Sequence, residues 1–143
     1  MKKHWVDVVV VQVGISDLKA IPLFPGRKAS LIAGTEANIE QIVSRAVDMG
    51  ATVILTTVIP HGKVPLERRL FWSSDVAEAV KTVNASLVSM AGEKVLILDS
   101  AAILADEQGL LREEYAVDLL HLNPAGYEVL NEELVRMLAA SEQ

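Results

Sequence analysis

The sequence predicts an α/β domain in which helices cover a parallel sheet. Three short runs rich in β-branched residues alternate with three segments that carry apolar residues at helical spacing. Each run is almost continuously apolar, which is typical of strands covered on both faces. This order of elements predicts a layered domain with right-handed crossovers. With 143 residues and no internal repeat, the chain is expected to form one domain over residues 1–143.

The strands are expected over residues 6–13, 53–59 and 95–98. The first has the composition of a central strand, although it begins within a few residues of Met1. A sheet of three strands has only one strand with neighbours on both sides. Either this run lies in the middle of the three, or its second neighbour comes from elsewhere.

Capping residues and apolar stripes define the helices. The expected N-caps are Thr35 for the first helix, Ser74 or Asp75 for the second, and Asn123, followed by Pro124, for the third. Gly50 and Gly92 are expected to end the first two helices. The stripes expected to face the core are Ile39, Ile42, Val43, Ala46 and Val47; Val76, Val80, Val83 and Leu87; and Tyr127, Leu130, Leu134, Met137 and Leu138.

Composition excludes several classes of protein. An apolar fraction of 51% excludes a disordered chain, and a net charge of −6 argues against binding to nucleic acid or anionic membranes. The absence of cysteine excludes disulfides, thiolate metal sites and a cysteine nucleophile. Neither a metal site nor any cofactor is expected. The N-terminal region is interpreted as a strand rather than a secretion signal. The cytoplasm is therefore the expected location, although the lack of cysteine is also compatible with export.

Two long connections, residues 18–34 and 60–74, lie beyond the carboxyl ends of predicted strands, the edge where open parallel sheets bind ligands. The second contains Arg68, Arg69 and Trp72. These side chains could line a substrate entrance. The alternative, which is favoured, is a solvated basic pair beside a buried aromatic ring.

The three histidines differ in their surroundings. His4 is expected to be solvated, and His61 lies in a Pro-His-Gly turn with a lesser chance of contacting a ligand. His121 follows Asp118 by three residues, just before the last helix. Such an acid can accept the Nδ1 proton and leave Nε2 free as a base. Equally, Asp118 could simply favour the N-terminus of that helix through its charge.

The segment from Asp118 to Tyr127 resembles the last conserved block of the SGNH hydrolases, the GDSL-type lipases and esterases, which reads Asp-x-x-His followed shortly by Gly-Tyr. Residues 7–18, with Gly14, Ser16 and Asp17, look like the third block, a strand ending in Gly-x-Asn-Asp. The resemblance implies a flavodoxin-like three-layer α/β/α sandwich and ester hydrolysis by serine, histidine and aspartate. Asp118 would orient His121, which would move the proton of the serine.

Two departures from this pattern bear on activity. The sequence contains no Gly-Asp-Ser, the first block that carries the nucleophile, and the second block is also missing, so the chain looks N-terminally truncated. Ser100, after Asp99, echoes the first block only superficially. Ser16 stands where the third block has its oxyanion asparagine. Ser16 could itself be a makeshift nucleophile, although a turn serine bonded to its own backbone is the more common situation.

The resulting hypothesis is a hydrolase of small carboxylic esters, impaired by the missing serine. Its catalytic residues would be Ser16, Asp118 and His121, and its candidate substrate-binding residues are Gly14, Pro60 and His61. The alternative is a non-catalytic remnant that acts as a binding or assembly module. A nucleotide-binding domain ranks last, because no glycine-rich phosphate loop follows the first strand.

The missing family strand also predicts self-association. It would lie beside residues 6–13, and its absence would leave an apolar strand with unpaired backbone groups. A homodimer or higher oligomer built through this region is therefore expected, because residues 1–5 are a poor cover for the edge.

Overall fold

A three-stranded parallel sheet forms the middle of the structure, a computed structural model that describes residues 6–69, 72 and 74–141. Its strands are β1 (Val8–Val11), β2 (Thr52–Thr56) and β3 (Val95–Leu98), in the order β1-β2-β3. Val10 is in register with Ile54, and Ile54 with Leu96. The third strand has the predicted bounds, and the first two are shorter than predicted. His4 and the predicted cover from residues 1–5 lie outside the described residues.

Helices fill both connections between strands and the segment after β3. They are α1 (Ile15–Leu18), α2 (Lys28–Asp48), α3 (Asp75–Ser89), α4 (Ser100–Leu104) and α5 (Pro124–Ser141). Short 3₁₀ turns lie at Ile21–Leu23, Pro25–Arg27, Leu66–Arg68 and Glu113–Tyr115. No helix among these described residues is both long and apolar enough to cross a membrane.

Two apolar cores lie on opposite faces of the sheet. Side chains of consecutive strand residues point to opposite faces, so the apolar runs supply both cores. Val11, Val53 and Leu55 pack with residues of α1, α2 and α3. Ile54 and Leu98 pack on the other face with residues of α4 and α5. The predicted three-layer α/β/α architecture is therefore confirmed.

The first long helix begins earlier than predicted. Thr35 is not an N-cap but a buried residue within α2, and its Oγ1 donates to the Leu31 carbonyl at 2.8 Å. The helix starts at Lys28 because residues 28–33 are mostly good helix formers, and Gly34 faces open space without interrupting it. The expected loop over residues 18–34 thus contains the last residue of α1, two 3₁₀ turns and the start of α2.

The predicted apolar stripes are largely correct. All four α3 residues of the stripe are buried, but Ile42 in α2 is 45% exposed and Tyr127 in α5 is 50% exposed. Tyr127 lies in the first turn of α5, where only Gly126 is buried before Leu130. The helix therefore meets the sheet mainly through residues beyond its first turn.

The first strand lies at the edge of the sheet and not in its middle. Within the part of the chain that the structure describes, β1 pairs only with β2, so its other side has no backbone partner. Val10 is 45% exposed, and Val6 and Val13 beyond the strand ends are also exposed. This run is therefore more apolar than a strand with a single neighbour requires.

Candidate active site

A carboxylate and an imidazole form an exposed pair on the loop before α5. His121 Nδ1 lies 2.9 Å from Oδ1 and 2.8 Å from Oδ2 of Asp118. The two side chains are 73% and 55% exposed, respectively. Because a carboxylate accepts, Nδ1 carries the proton, and Nε2 is left as the free nitrogen of the neutral ring. The contact that the spacing of these residues predicts is present.

Backbone donors hold the Asp118 carboxylate in place. Its Oδ1 accepts from the backbone N–H of Leu120 and of His121, both at 2.9 Å. These bonds to the charged form, first that from Leu120 and then that from the His121 side chain, lower the pKa of Asp118 below its ordinary value of 3.8. The carboxylate is therefore ionised throughout the neutral range.

The start of α5 fixes the far end of the loop. Asn123 Oδ1 accepts from the Gly126 N–H at 3.0 Å, which confirms Asn123 as the N-cap, and its Nδ2 donates to the Glu114 carbonyl. A Cβ on Gly126 would lie 2.8 Å from the Tyr115 carbonyl oxygen, so glycine permits this close approach. The Val117 N–H donates to the His121 carbonyl and closes the loop.

The turn after β2 contacts this loop directly. The Gly62 N–H donates to the Leu119 carbonyl at 2.8 Å, between Asp118 and His121 in sequence. His61 and Pro60 are both buried. The sequence predicts His61 beyond the carboxyl ends of the strands, where ligands bind. The structure places its backbone beside the loop that carries Asp118 and His121.

Ser16 lies in α1, immediately beyond β1, and is exposed. No hydrogen bond joins its hydroxyl to His121, and the expected bond to its own backbone is also not seen. Gly14 precedes it with φ of +124°, and a Cβ there would lie 2.8 Å from Val58 Cγ2. The glycine is thus required by the turn itself. A role for Ser16 in catalysis and one for Gly14 in substrate binding stay predictions.

Ser100 is a structural residue. It is fully buried, and its hydroxyl donates to the Thr57 carbonyl at the end of β2. Thr57 Oγ1 in turn donates to Asp99 Oδ1 at 3.1 Å and accepts from the Ala101 N–H. This network joins the ends of β2 and β3, so Ser100 is not available as a nucleophile.

Asn84 is a positioning residue that the sequence analysis did not single out. From α3, its Oδ1 accepts from the Val58 N–H at 2.7 Å and its Nδ2 donates to the Val58 carbonyl at 3.1 Å. The two bonds satisfy both the N–H and the carbonyl of Val58, which lies beyond the end of β2 where no strand continues. A polar residue on the buried face of a predicted helix was the only sequence signal.

The basic pair after β2 is exposed at both positions, Arg68 and Arg69. Arg69 also lines a cavity together with His61 and the half-buried Trp72. Among the residues that the structure describes, no group of three His, Asp or Glu side chains is placed to hold a metal ion.

Comparisons with known proteins place this site in a family. The model of the GDSL-like lipase/acylhydrolase family matches residues 2–129. The chain belongs to this family. The match includes both Asp118 and His121, the loop that contacts them, and the segment around Ser16. A search of curated proteins finds no match.

Solved structures share the fold. A protein of Streptococcus pneumonia, proposed to be a platelet activating factor, is 24% identical with a TM-score of 0.70, over 96% of this chain. A GDSL-like lipase of Bacteroides thetaiotaomicron is 20% identical with a TM-score of 0.72, over 94% of this chain. A proposed acylhydrolase of Bacteroides fragilis is 19% identical with a TM-score of 0.73, over 95%. This chain spans 62% of the length of each.

Proposed function

We propose that this chain supplies the acid-base pair of an esterase that hydrolyses small carboxylic esters. The observation that carries the proposal is the contact of His121 Nδ1 with both Asp118 oxygens, at 2.9 and 2.8 Å. A carboxylate in this position fixes the tautomer and stabilises the imidazolium that forms when Nε2 takes a proton. Membership of an acylhydrolase family supports ester hydrolysis as the reaction.

The chemistry follows in two steps. A serine hydroxyl attacks the acyl carbonyl while His121 Nε2 takes its proton, and the alcohol departs with that proton as the acyl-enzyme ester forms. Water then attacks the acyl-enzyme and gives its proton to His121, and the serine oxygen leaves and recovers that proton from the imidazolium. The carboxylic acid is released, and no cofactor is needed. Asp118 stays ionised throughout.

The proposed nucleophile is Ser16. No Gly-Asp-Ser occurs in the 143 residues, and Ser16 is the candidate by family position. Ser16 follows β1 and is exposed. It lies beyond the carboxyl end of that strand, and the chain that reaches the Asp118–His121 loop leaves β3 at the same carboxyl edge of the sheet. If Ser16 is the nucleophile, its hydroxyl is not available as an oxyanion donor, so the position of the family's oxyanion asparagine supplies none. Because each such donor contributes about a hundredfold or more in rate, we expect slow turnover.

Hydrolysis of 4-nitrophenyl acetate by the purified chain tests the proposal. We expect His121→Ala to lower kcat by about 10²–10⁴, the usual contribution of a general base, and Asp118→Asn to lower it to a similar or smaller extent. Arg68→Gln, an exposed substitution outside the pair, is the control. Turnover that His121→Ala leaves unchanged would overturn the mechanism. Ser16→Ala then decides the nucleophile: unchanged turnover eliminates Ser16.

The alternative of a non-catalytic binding or assembly module predicts a different result. The purified chain would then show no hydrolysis above the buffer rate, with any of the variants. Cytoplasmic location remains part of the proposal and is checked by fractionation of the source cells.

We also propose that the chain self-associates through the edge strand β1. The unpaired side of Val8–Val11 and the exposed Val10 support a second copy as the partner, because apolar strand edges pair readily. Sedimentation at micromolar concentration should give about twice the chain mass of 15.5 kDa. Val10→Lys should return it to the monomer, whereas Val135→Lys, at an exposed position of α5, should not. A clean monomer of the unmodified chain would contradict this proposal.

A further inference from the structure

The loop that carries the acid-base pair is closed by a short antiparallel ladder. The Val117 N–H donates to the His121 carbonyl at 2.9 Å, and next to this bond Ala116 forms an antiparallel bridge with Leu122. In such a ladder, one step along each arm from a bridged pair leads to the next opposite pair. Val117 therefore lies opposite His121.

The two faces of this ladder have different environments. Successive side chains of an extended segment point to opposite faces, so the bridged pair shares one face and Val117 shares the other with His121. Leu122 is 6% exposed, and Ala116 packs with it in the core on the α5 side of the sheet. Val117 is 68% exposed, beside a histidine side chain that is 73% exposed. Side chains that are opposite in this way have Cβ atoms about 4.5–5.5 Å apart.

The orientation of the imidazole decides which part of an ester comes near Val117. Nδ1 contacts the Asp118 carboxylate, so Nε2 is the nitrogen that takes and gives protons. In the proposed reaction Nε2 gives its proton to the departing alcohol, whose oxygen must come within about 2.6–3.2 Å of it. The first carbons of that alcohol therefore lie against the His121 ring. The side chain of Val117 is next to this ring, on the same face of the loop.

Val117 offers this alcohol an apolar contact. A valine side chain has no hydrogen-bonding group, and an exposed one is stabilised when an alkyl group covers it. Packing within the chain does not account for this valine, because neither of the two cores that the described residues form includes it. The Asp118 carboxylate is ionised beside a neutral imidazole, so the pair carries a negative charge that disfavours an anionic alcohol.

We infer that Val117 is a specificity-determining residue that contacts the leaving alcohol, and that the substrates are esters of uncharged alkyl alcohols. This inference rests on the proposed esterase function and names the alcohol part of its substrate class. Val117 takes no part in the proton transfer itself.

The test compares butyl acetate with ethyl acetate, whose alcohols have similar acidity and differ by two methylene groups. The ratio of their kcat/KM values reports the contact with the alcohol, because kcat/KM includes the step in which the alcohol departs. Proton NMR measures the released alcohol. Val117→Thr keeps the β-branched shape and replaces one methyl group by a hydroxyl. Val135→Thr, the control, makes the same change at a valine of α5 that is 63% exposed.

We expect the butyl-to-ethyl ratio of the unmodified chain to be about threefold to tenfold, because each methylene contributes about fourfold when it is fully buried and less against a single side chain. Val117→Thr should lower this ratio by about threefold, whereas Val135→Thr should leave it unchanged. A ratio that is the same in Val117→Thr as in the unmodified chain would overturn the inference. A ratio near one in the unmodified chain would do the same.

A binding measurement separates the failure of this inference from the failure of the esterase function. 2-Heptanone and 2-pentanone have the shapes of butyl and ethyl acetate, with a methylene in place of the ester oxygen, and they cannot be hydrolysed. We expect 2-heptanone to shift the methyl signals of Val117, assigned with Val117→Thr, at an at least about threefold lower concentration than 2-pentanone. If this difference is seen while no ester is hydrolysed, the esterase function fails and the apolar contact stands. Equal shifts by the two ketones would overturn the contact, whatever the turnover.

Discussion

His61 and His121 lie on two loops that touch each other, yet their rings occupy opposite environments. His61 is 5% exposed and donates from Nδ1 to a neutral carbonyl, whereas the side chain of His121 is 73% exposed and donates from Nδ1 to a carboxylate. A carboxylate stabilises the protonated ring, and a carbonyl dipole does so much less. The difference supports the proposed role of His121 in moving protons, whereas the buried ring of His61 is held in one tautomer by the Gly62 carbonyl.

The contact between the loops explains how both rings are positioned. The Gly62 N–H donates to the Leu119 carbonyl and joins the two loops, while the N–H of Leu111, which lies before the Asp118–His121 loop, donates to the His61 carbonyl and holds the turn after β2. Neither loop contains a helix or a strand, so these bonds add to the Val117–His121 bond that closes the loop of the pair. The side chains of Asp118 and His121 are exposed, but the backbone of their loop contacts the buried turn at residues 60–62.

The largest expected contrast is in stability. His61→Ala should reduce the free energy of unfolding by about 2–4 kcal/mol, because it leaves a cavity and an unpaired Gly62 carbonyl. His121→Ala should change it by less than about 0.5 kcal/mol, because the ring is exposed. Urea unfolding of both variants measures the contrast. Similar losses in the two would break the distinction between a buried and an exposed histidine. In the esterase assay we expect His121→Ala to have the larger effect.

A pair of glycines gives the next contrast. Gly126→Ala should destabilise the fold by about 1–3 kcal/mol, because the new Cβ would lie 2.8 Å from a backbone oxygen that cannot easily move. Gly62→Ala should cost less than about 0.5 kcal/mol, because its Cβ would meet the Asp118–Leu119 backbone at 3.6 Å, an ordinary contact. Thermal unfolding compares the two. A larger loss from Gly62→Ala would mean that the loops pack more tightly than this geometry indicates.

The sequence predicted where the helices and strands lie along the chain better than which elements lie beside each other. Continuous apolar runs marked the strands, and β3 has the bounds that its four apolar residues indicated. The order of strands in the sheet does not follow from periodicity, and β1 proved to lie at the edge. Thr35 was mistaken for a cap because threonine within a helix can also satisfy its hydroxyl by bonding back to the preceding turn.

The candidate site divides in the same way. The contact of Asp118 with His121 followed from a spacing of three residues, since both lie on one short loop. The edge-to-face contact of the His61 and Trp72 rings could not be predicted, because it depends on how two distant loop residues meet. Asn84 was missed for a related reason, since its partner Val58 lies 26 positions away.

The smallest expected effect separates the causes of the low pKa of Asp118. The pKa lies below 3.8, with the Leu120 N–H as the largest cause and the His121 side chain as the next. The stabilisation from this carboxylate is therefore present above the ordinary pKa and is lost as the pH falls through the lower folded value. We expect the carboxyl carbon shift of Asp118 to titrate below 3.8 in the unmodified chain. In His121→Ala the midpoint should rise only part of the way, because the Leu120 N–H still donates to the carboxylate. A complete return to the ordinary value would show that the imidazole, and not the backbone of the loop, holds the charge.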